Sequence, residues 1–174
     1  MTLHGITNLV TMLIVITCAA VFQELANPIT VLNLKPLCLL GVVIYYSFRR
    51  EFSHGLIACI VCGFLDDGMS RSFWGVTVFY FLLVALLCSF VLKKQMPANA
   101  FSCAVIGAVA GGIMLITQYI DLLHGGYRAL PPMFVSARVL GGACFAAVTT
   151  LILALLIYRF DFLASNVGPE EHDV

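Results

Sequence analysis

Four stretches of this chain, residues 6–22, 73–92, 101–120 and 134–158, contain a single charged residue between them, Arg138. An α-helix rises about 1.5 Å per residue and a bilayer's hydrocarbon core is about 30 Å thick, so runs of this length cross a membrane as helices. Lipid offers the backbone no hydrogen-bond partner, and a helix satisfies its own. Composition points the same way. Apolar residues make up 61% of the 174 positions and charged residues 10%, where a soluble domain carries about a quarter. The mean hydropathy is +1.04. No soluble fold of this length hides that much apolar surface. The fold class is an all-α integral membrane protein.

Two weaker segments complete the count. Residues 31–48 include Asn33, Lys35 and Pro36, so the apolar part is mostly 37–48. Residues 52–65 are fourteen in number, the length of a re-entrant segment as much as of a span. Charge placement arbitrates, because cytoplasmic loops collect Lys and Arg. The pairs Arg49-Arg50 and Lys93-Lys94 share a side only if an even number of crossings separates them, which requires residues 52–65 and 73–92 both to cross. Arg159 then falls on that side too, leaving Lys35, Arg71, Arg128 and Arg138 opposite. The expectation is six transmembrane helices in one domain over residues 1–164, both termini cytoplasmic, with a disordered acidic tail at 165–174. Residues 1–5 carry no Lys or Arg, so the first run is a retained span and not a cleavable signal. The longest external connection, 121–132, contains the turn-favouring pairs Gly125-Gly126 and Pro131-Pro132.

Several function classes drop out. A net charge of zero gives no general attraction to nucleic acid. The seven Cys residues lie inside apolar runs, where a thiol acts as a small hydrophobe. Cys59-x-x-Cys62 lacks the second pair or nearby His that a zinc site needs. His4, His54, His124 and His172 form no i, i+4 pair, and no Gly-x-Ser-x-Gly elbow or phosphate-binding glycine loop occurs. Asp66 and Asp67 are adjacent, about 100° apart on a helix, and make no carboxylate dyad. The chain reads as non-catalytic, with no cofactor or metal.

Other residues point to helix association. Gly107 and Gly111 in helix five, and Gly142 and Ala146 in helix six, are small residues four apart, which let backbones approach in lipid. They serve either packing of these two helices on each other or a docking face for a partner. Asp121 ends helix five and Arg138 lies one turn into helix six, so the two form a candidate salt bridge; Asp67 and Arg71 are a second. Asn8, Thr11, Thr17 and Gln118 are candidate interior polar groups, available for interhelical hydrogen bonds.

Residues 34–87 carry a resemblance. Leu34-Lys35-Pro36 leads into an apolar helix ending Tyr45-Tyr46-Ser47-Phe48; Phe52-Ser53-His54-Gly55 follows a basic loop; Gly63-Phe64-Leu65-Asp66-Asp67 precedes Gly75-Val76 and a helix rich in Phe and Leu. This resembles the rod shape-determining protein family MreD, and Pro36, Gly55, Gly63, Asp67 and Gly75 fall on its pattern. Two departures are the doubled acid and Arg71. In this frame Gly63 allows close helix approach, Asp67 accepts backbone N–H bonds from the loop or helix four, and Gly75 avoids obstructing packing at the first turn of helix four. The resemblance implies the bacterial cytoplasmic membrane and a fold like the substrate-binding subunits of energy-coupling-factor transporters. It implies MreC as direct partner, with MreB, RodA and RodA's transpeptidase further off in lateral peptidoglycan synthesis. The alternative is that the chain is itself a vitamin-binding subunit of such a transporter. That reading wants several polar groups converging on one outer cavity, and residues 23–30 make only a short first external loop.

Overall fold

The computed structural model describes residues 3–26, 35–70, 75–97, 99–124 and 131–163. Six helices account for nearly all of them: α1 Leu3–Leu25, α2 Cys38–Arg49, α3 Phe52–Ser70, α4 Val76–Gln95, α5 Ala100–His124 and α6 Pro132–Leu163. α4 widens into a π-helical stretch at Leu87–Leu92 before its last turn. There is no strand among the described residues.

Five of the six are long and apolar enough to cross a membrane. The sixth is α2, whose 12 residues rise about 18 Å, well short of about 30 Å of hydrocarbon. The expected six helices are present, five of them as long apolar spans, and the short one is not where shortness was expected. α3 is the helix whose apolar run looked too brief, yet it extends over 19 residues because it continues through Asp66 and Asp67. Both carboxylates are buried and hydrogen-bonded, so they do not end the helix. Residues 35–37 stay non-helical, and α2 begins only after buried Pro36, which has no N–H to give to a helix.

α2 is the axle of the bundle. Every residue from Cys38 to Phe48 is buried. A helix that is apolar on all sides needs protein around it, and α1, α3, α4, α5 and α6 all pack on α2. α3 and α4 pack closely with each other on one flank, and α5 and α6 form a tight hairpin on another. The peripheral helices bury one stripe each and expose the other. In α1 the buried stripe is Met12, Ile16, Ala19, Ala20 and Gln23, while Val10, Ile14 and Val21 are exposed. That spacing of 3.6 marks one face on protein and one on lipid.

Small residues set the crossings. A Cβ on Gly55 would lie 2.9 Å from the Ser47 Cα, and one on Gly63 would lie 2.6 Å from the Val78 Cα. α3 therefore touches α2 at one glycine and α4 at the other, backbone against backbone.

Candidate functional site

Two polar clusters cap the apolar interior, one at each end of α2. The first gathers the end of α2, the start of α3 and the end of α6. Asp161 is 2% exposed. Its Oδ2 accepts bonds from Arg50 Nη2 at 2.9 Å and from the Tyr45 hydroxyl at 3.1 Å. Arg49 lies between two rings of the same end, its guanidinium carbon 4.8 Å from the centre of Tyr158 and 6.0 Å from that of Tyr45. The last carbonyls of a helix have no partner within it, and α4 supplies some: the Ser89 hydroxyl donates to Ser47 O, and Lys93 Nζ donates to Arg50 O. A cavity of about 90 Å³ lies here, lined by Asn8, Tyr46, Arg50, Glu51, His54 and Asp161. Asn8 is near the start of α1 and Asp161 near the end of α6, so both ends of the described chain meet at this end of the bundle.

The second cluster sits at the opposite end. Gln23 bridges three helices: its Nε2 donates to Asp66 Oδ1 at 2.7 Å, and its Oε1 accepts from Leu39 N at 3.1 Å. The Leu39 N–H is one of the donors that the first turn of α2 leaves orphaned. Asp67, 1% exposed, does the same for α4. Its Oδ2 accepts from Gly75 N at 2.7 Å and its Oδ1 from Thr77 N at 3.1 Å. An N-cap residue normally sits next to its helix; here the cap reaches α4 from α3. Gly75 adopts φ 101°, a left-handed conformation open to glycine, and a Cβ there would meet nothing within 4 Å. Its reason is thus backbone conformation, where the sequence reading had put steric obstruction.

Among the other predicted residues, Gly107 faces Thr150 and Gly111 faces Ala146, both across the α5–α6 contact, and Gly142 is buried as well. The side chain of Asp121 and all of Arg71 lie outside the described residues, and with them the Asp121–Arg138 and Asp67–Arg71 pairs. Three expected interior polar groups sit elsewhere. Thr11 and Thr17 donate to Thr7 O and Leu13 O of their own helix, and Gln118 is exposed. A threonine in an apolar helix satisfies its hydroxyl most cheaply one turn back.

Gln23 and Asp161 escaped the sequence reading, which named Tyr45 and Arg50 but gave neither a place in a buried cluster. A signal existed for Asp161: Ala146, Thr150, Ala154, Ile157 and Asp161 follow one another at helical spacing down one face of α6. Gln23 fits the buried stripe of α1 in the same way.

Chemically, the buried carboxylates act as acceptors that hold helix ends together. His54 Nδ1 lies 3.4 Å from the Ser53 hydroxyl on an exposed turn, and no group of three metal-ligating side chains occurs among the described residues. Cys59 is buried and directs its thiol toward Val78 O.

The family model described as rod shape-determining protein MreD matches residues 4–161, from α1 to the Asp161 cluster. No curated protein and no solved structure matches the chain, so the expected likeness to transporter subunits is not shown. The match takes in every described helix and both polar clusters, and the chain belongs to the MreD family, multi-pass membrane proteins that determine rod shape without catalysing a reaction.

Proposed function

We propose that the protein acts by binding: it receives the membrane helix of MreC and, through it, positions RodA and its transpeptidase along MreB for lateral peptidoglycan synthesis. Family membership over residues 4–161 is the observation that carries this reading. The exposed face of α1 is a better docking surface than the small-residue faces of α5 and α6. The small residues of α5 and α6 are taken up by one another, since a Cβ on Gly107 or Gly111 would run into α6. α1 packs on α2 and α3 and leaves Val10, Ile14, Thr17, Cys18 and Val21 uncovered along one side. Small Thr17 and Cys18 at the centre of that stripe allow a partner helix close approach.

The clustered-cavity end faces the cytoplasm in this proposal. Arg49, Arg50, Lys93, Lys94 and Arg159 lie there, against Lys35 and Arg138 at the other end, where the sequence also assigns Arg71 and Arg128. The two adjacent basic pairs at one end, read by the positive-inside rule, support a cytoplasmic location for both termini. The Asp121–Arg138 bridge belongs to the same proposal, as a clamp at the outer end of α5 and α6.

The test is purification of the tagged protein in mild detergent from a rod-shaped bacterium, with mass spectrometry of what co-elutes. MreC and wall-synthesis enzymes are the expected company. Recovery of a transporter's coupling subunit with its ATPases, or of a bound vitamin, overturns the scaffold in favour of uptake.

A further inference from the structure

The cavity beside Asp161 has no role in holding helices together. At about 90 Å³ it exceeds the space one water needs, about 10–15 Å³ by the same kind of measure. Two of the residues that line it each carry a buried polar atom without a hydrogen-bond partner, the Tyr46 hydroxyl and Asn8 Oδ1. Tyr46 is 3% exposed, so open solvent does not serve its hydroxyl. A buried polar group left unsatisfied costs about 1–3 kcal/mol. Two at one cavity wall mark a place built for something that hydrogen-bonds.

The lining selects the sign of that group. Arg50 and Asp161 neutralise each other at 2.9 Å. Glu51 then remains as a carboxylate, and Asn8 Oδ1 accepts but does not donate. With Arg50 paired to Asp161, the lining carries one negative charge in excess, that of Glu51, and the Tyr46 hydroxyl and Asn8 Oδ1 can each accept a further bond. An ammonium group offers three N–H donors and a positive charge, and its bonds to carboxylates are of the stronger, charge-assisted kind.

The surroundings select the source. Next to Asp161 on the same helix, Leu156 and Phe160 of α6 are exposed apolar side chains that acyl chains cover in a membrane. Arg49 and Lys93 lie at the same end, suited to a phosphate. We propose that this cavity binds the ammonium of a primary-amine phospholipid headgroup, the phosphate resting at the mouth and the acyl chains lying along α6. The site is independent of the MreC surface, which uses the outer face of α1.

The experiment uses the full chain in nanodiscs holding equal parts of phosphatidylethanolamine, phosphatidylcholine and phosphatidylglycerol, released into a native mass spectrometer. Choline differs from ethanolamine at the nitrogen, which has lost every N–H. The ethanolamine lipid is expected to be retained at least about fivefold over either competitor, and Tyr46→Phe or Glu51→Gln to lower that ratio severalfold. Equal retention of the three lipids overturns the proposal, as does preference for the glycerol lipid, which identifies an anion site. Displacement of the ethanolamine lipid by a short lysine peptide at micromolar concentration overturns it in favour of a protein ligand. Should Tyr46→Phe fail to fold, the discrimination among headgroups by the parent protein decides alone.

Discussion

The α3–α4 contact yields a prediction in which two alanine substitutions on one helix act in opposite directions. Glycine in a helix interior is less favourable than alanine by up to about 1 kcal/mol, since alanine loses less freedom on folding. Gly68 is exposed, and a Cβ there would meet nothing within 4 Å. Gly68→Ala should therefore gain most of that amount. Gly63 differs only in its neighbour. A Cβ there would lie 2.6 Å from the Val78 Cα, 2.8 Å from its Cγ2 and 3.0 Å from its N. Two of the three atoms are backbone, so no rotamer change relieves the clash and α3 must separate from α4. Such overpacking costs about 1–3 kcal/mol. A backbone approach of 2.6 Å puts the cost in the upper part of that range, about 2–3 kcal/mol, so net of the propensity gain Gly63→Ala should lose about 1–2 kcal/mol, a fall in Tm of about 2–8 °C for a protein of this size. Thermal unfolding in one detergent, followed through α-helical circular dichroism, places the variants on a common scale. Both shifting upward, or Gly63→Ala unfolding at the parent temperature, would refute the close crossing and with it the packing account of α3.

Substitutions at Asp67, Asp161 and Arg50 in the polar clusters, and at Thr150 between α5 and α6, are read by the same assay. Asp67→Ala strands the buried N–H groups of Gly75 and Thr77 and should cost about 3 kcal/mol, with Asp67→Asn, which keeps one acceptor oxygen, in between. Asp161→Asn should cost about 2 kcal/mol, less than for a fully buried pair because the Arg50 side chain is 19% exposed; Arg50→Gln added to it should recover part of the loss. Thr150→Val should leave stability unchanged or raise it by about 1 kcal/mol, because the Thr150 hydroxyl is buried with no partner and valine has nearly the same shape.

Much of this architecture is written in the order of apolar residues. The long spans follow from runs that no other solvent tolerates, and the buried stripe of α1 follows from its 3.6-residue spacing. Gly63 and Asp67 could be given their roles from residue type alone: glycine for close approach, and a carboxylate for backbone donors. Hydropathy could not tell which weak segment was the short one. It treats Asp66 and Asp67 as the end of a span, whereas Gln23 and two backbone N–H groups let α3 carry them inside. The partner of each carboxylate lies 8 to 43 residues away, and no local pattern announces such a contact. The Asp161 cluster was hidden for the same reason. Tyr45 and Asp161 are 116 residues apart and meet only because α6 returns to the end where α2 finishes. Gly75 shows the converse: its position was legible, while its reason, a left-handed φ, needed the backbone.

Site-specific photocrosslinking in living cells tests the binding account most directly. A photoreactive residue replaces Ile14, on the exposed face of α1, or Val148, on the exposed face of α6. The account predicts a covalent adduct with MreC from position 14 and none from 148, in cells that keep their rod shape. An adduct from 148 alone, or none from either position while the two proteins still co-purify, would contradict it.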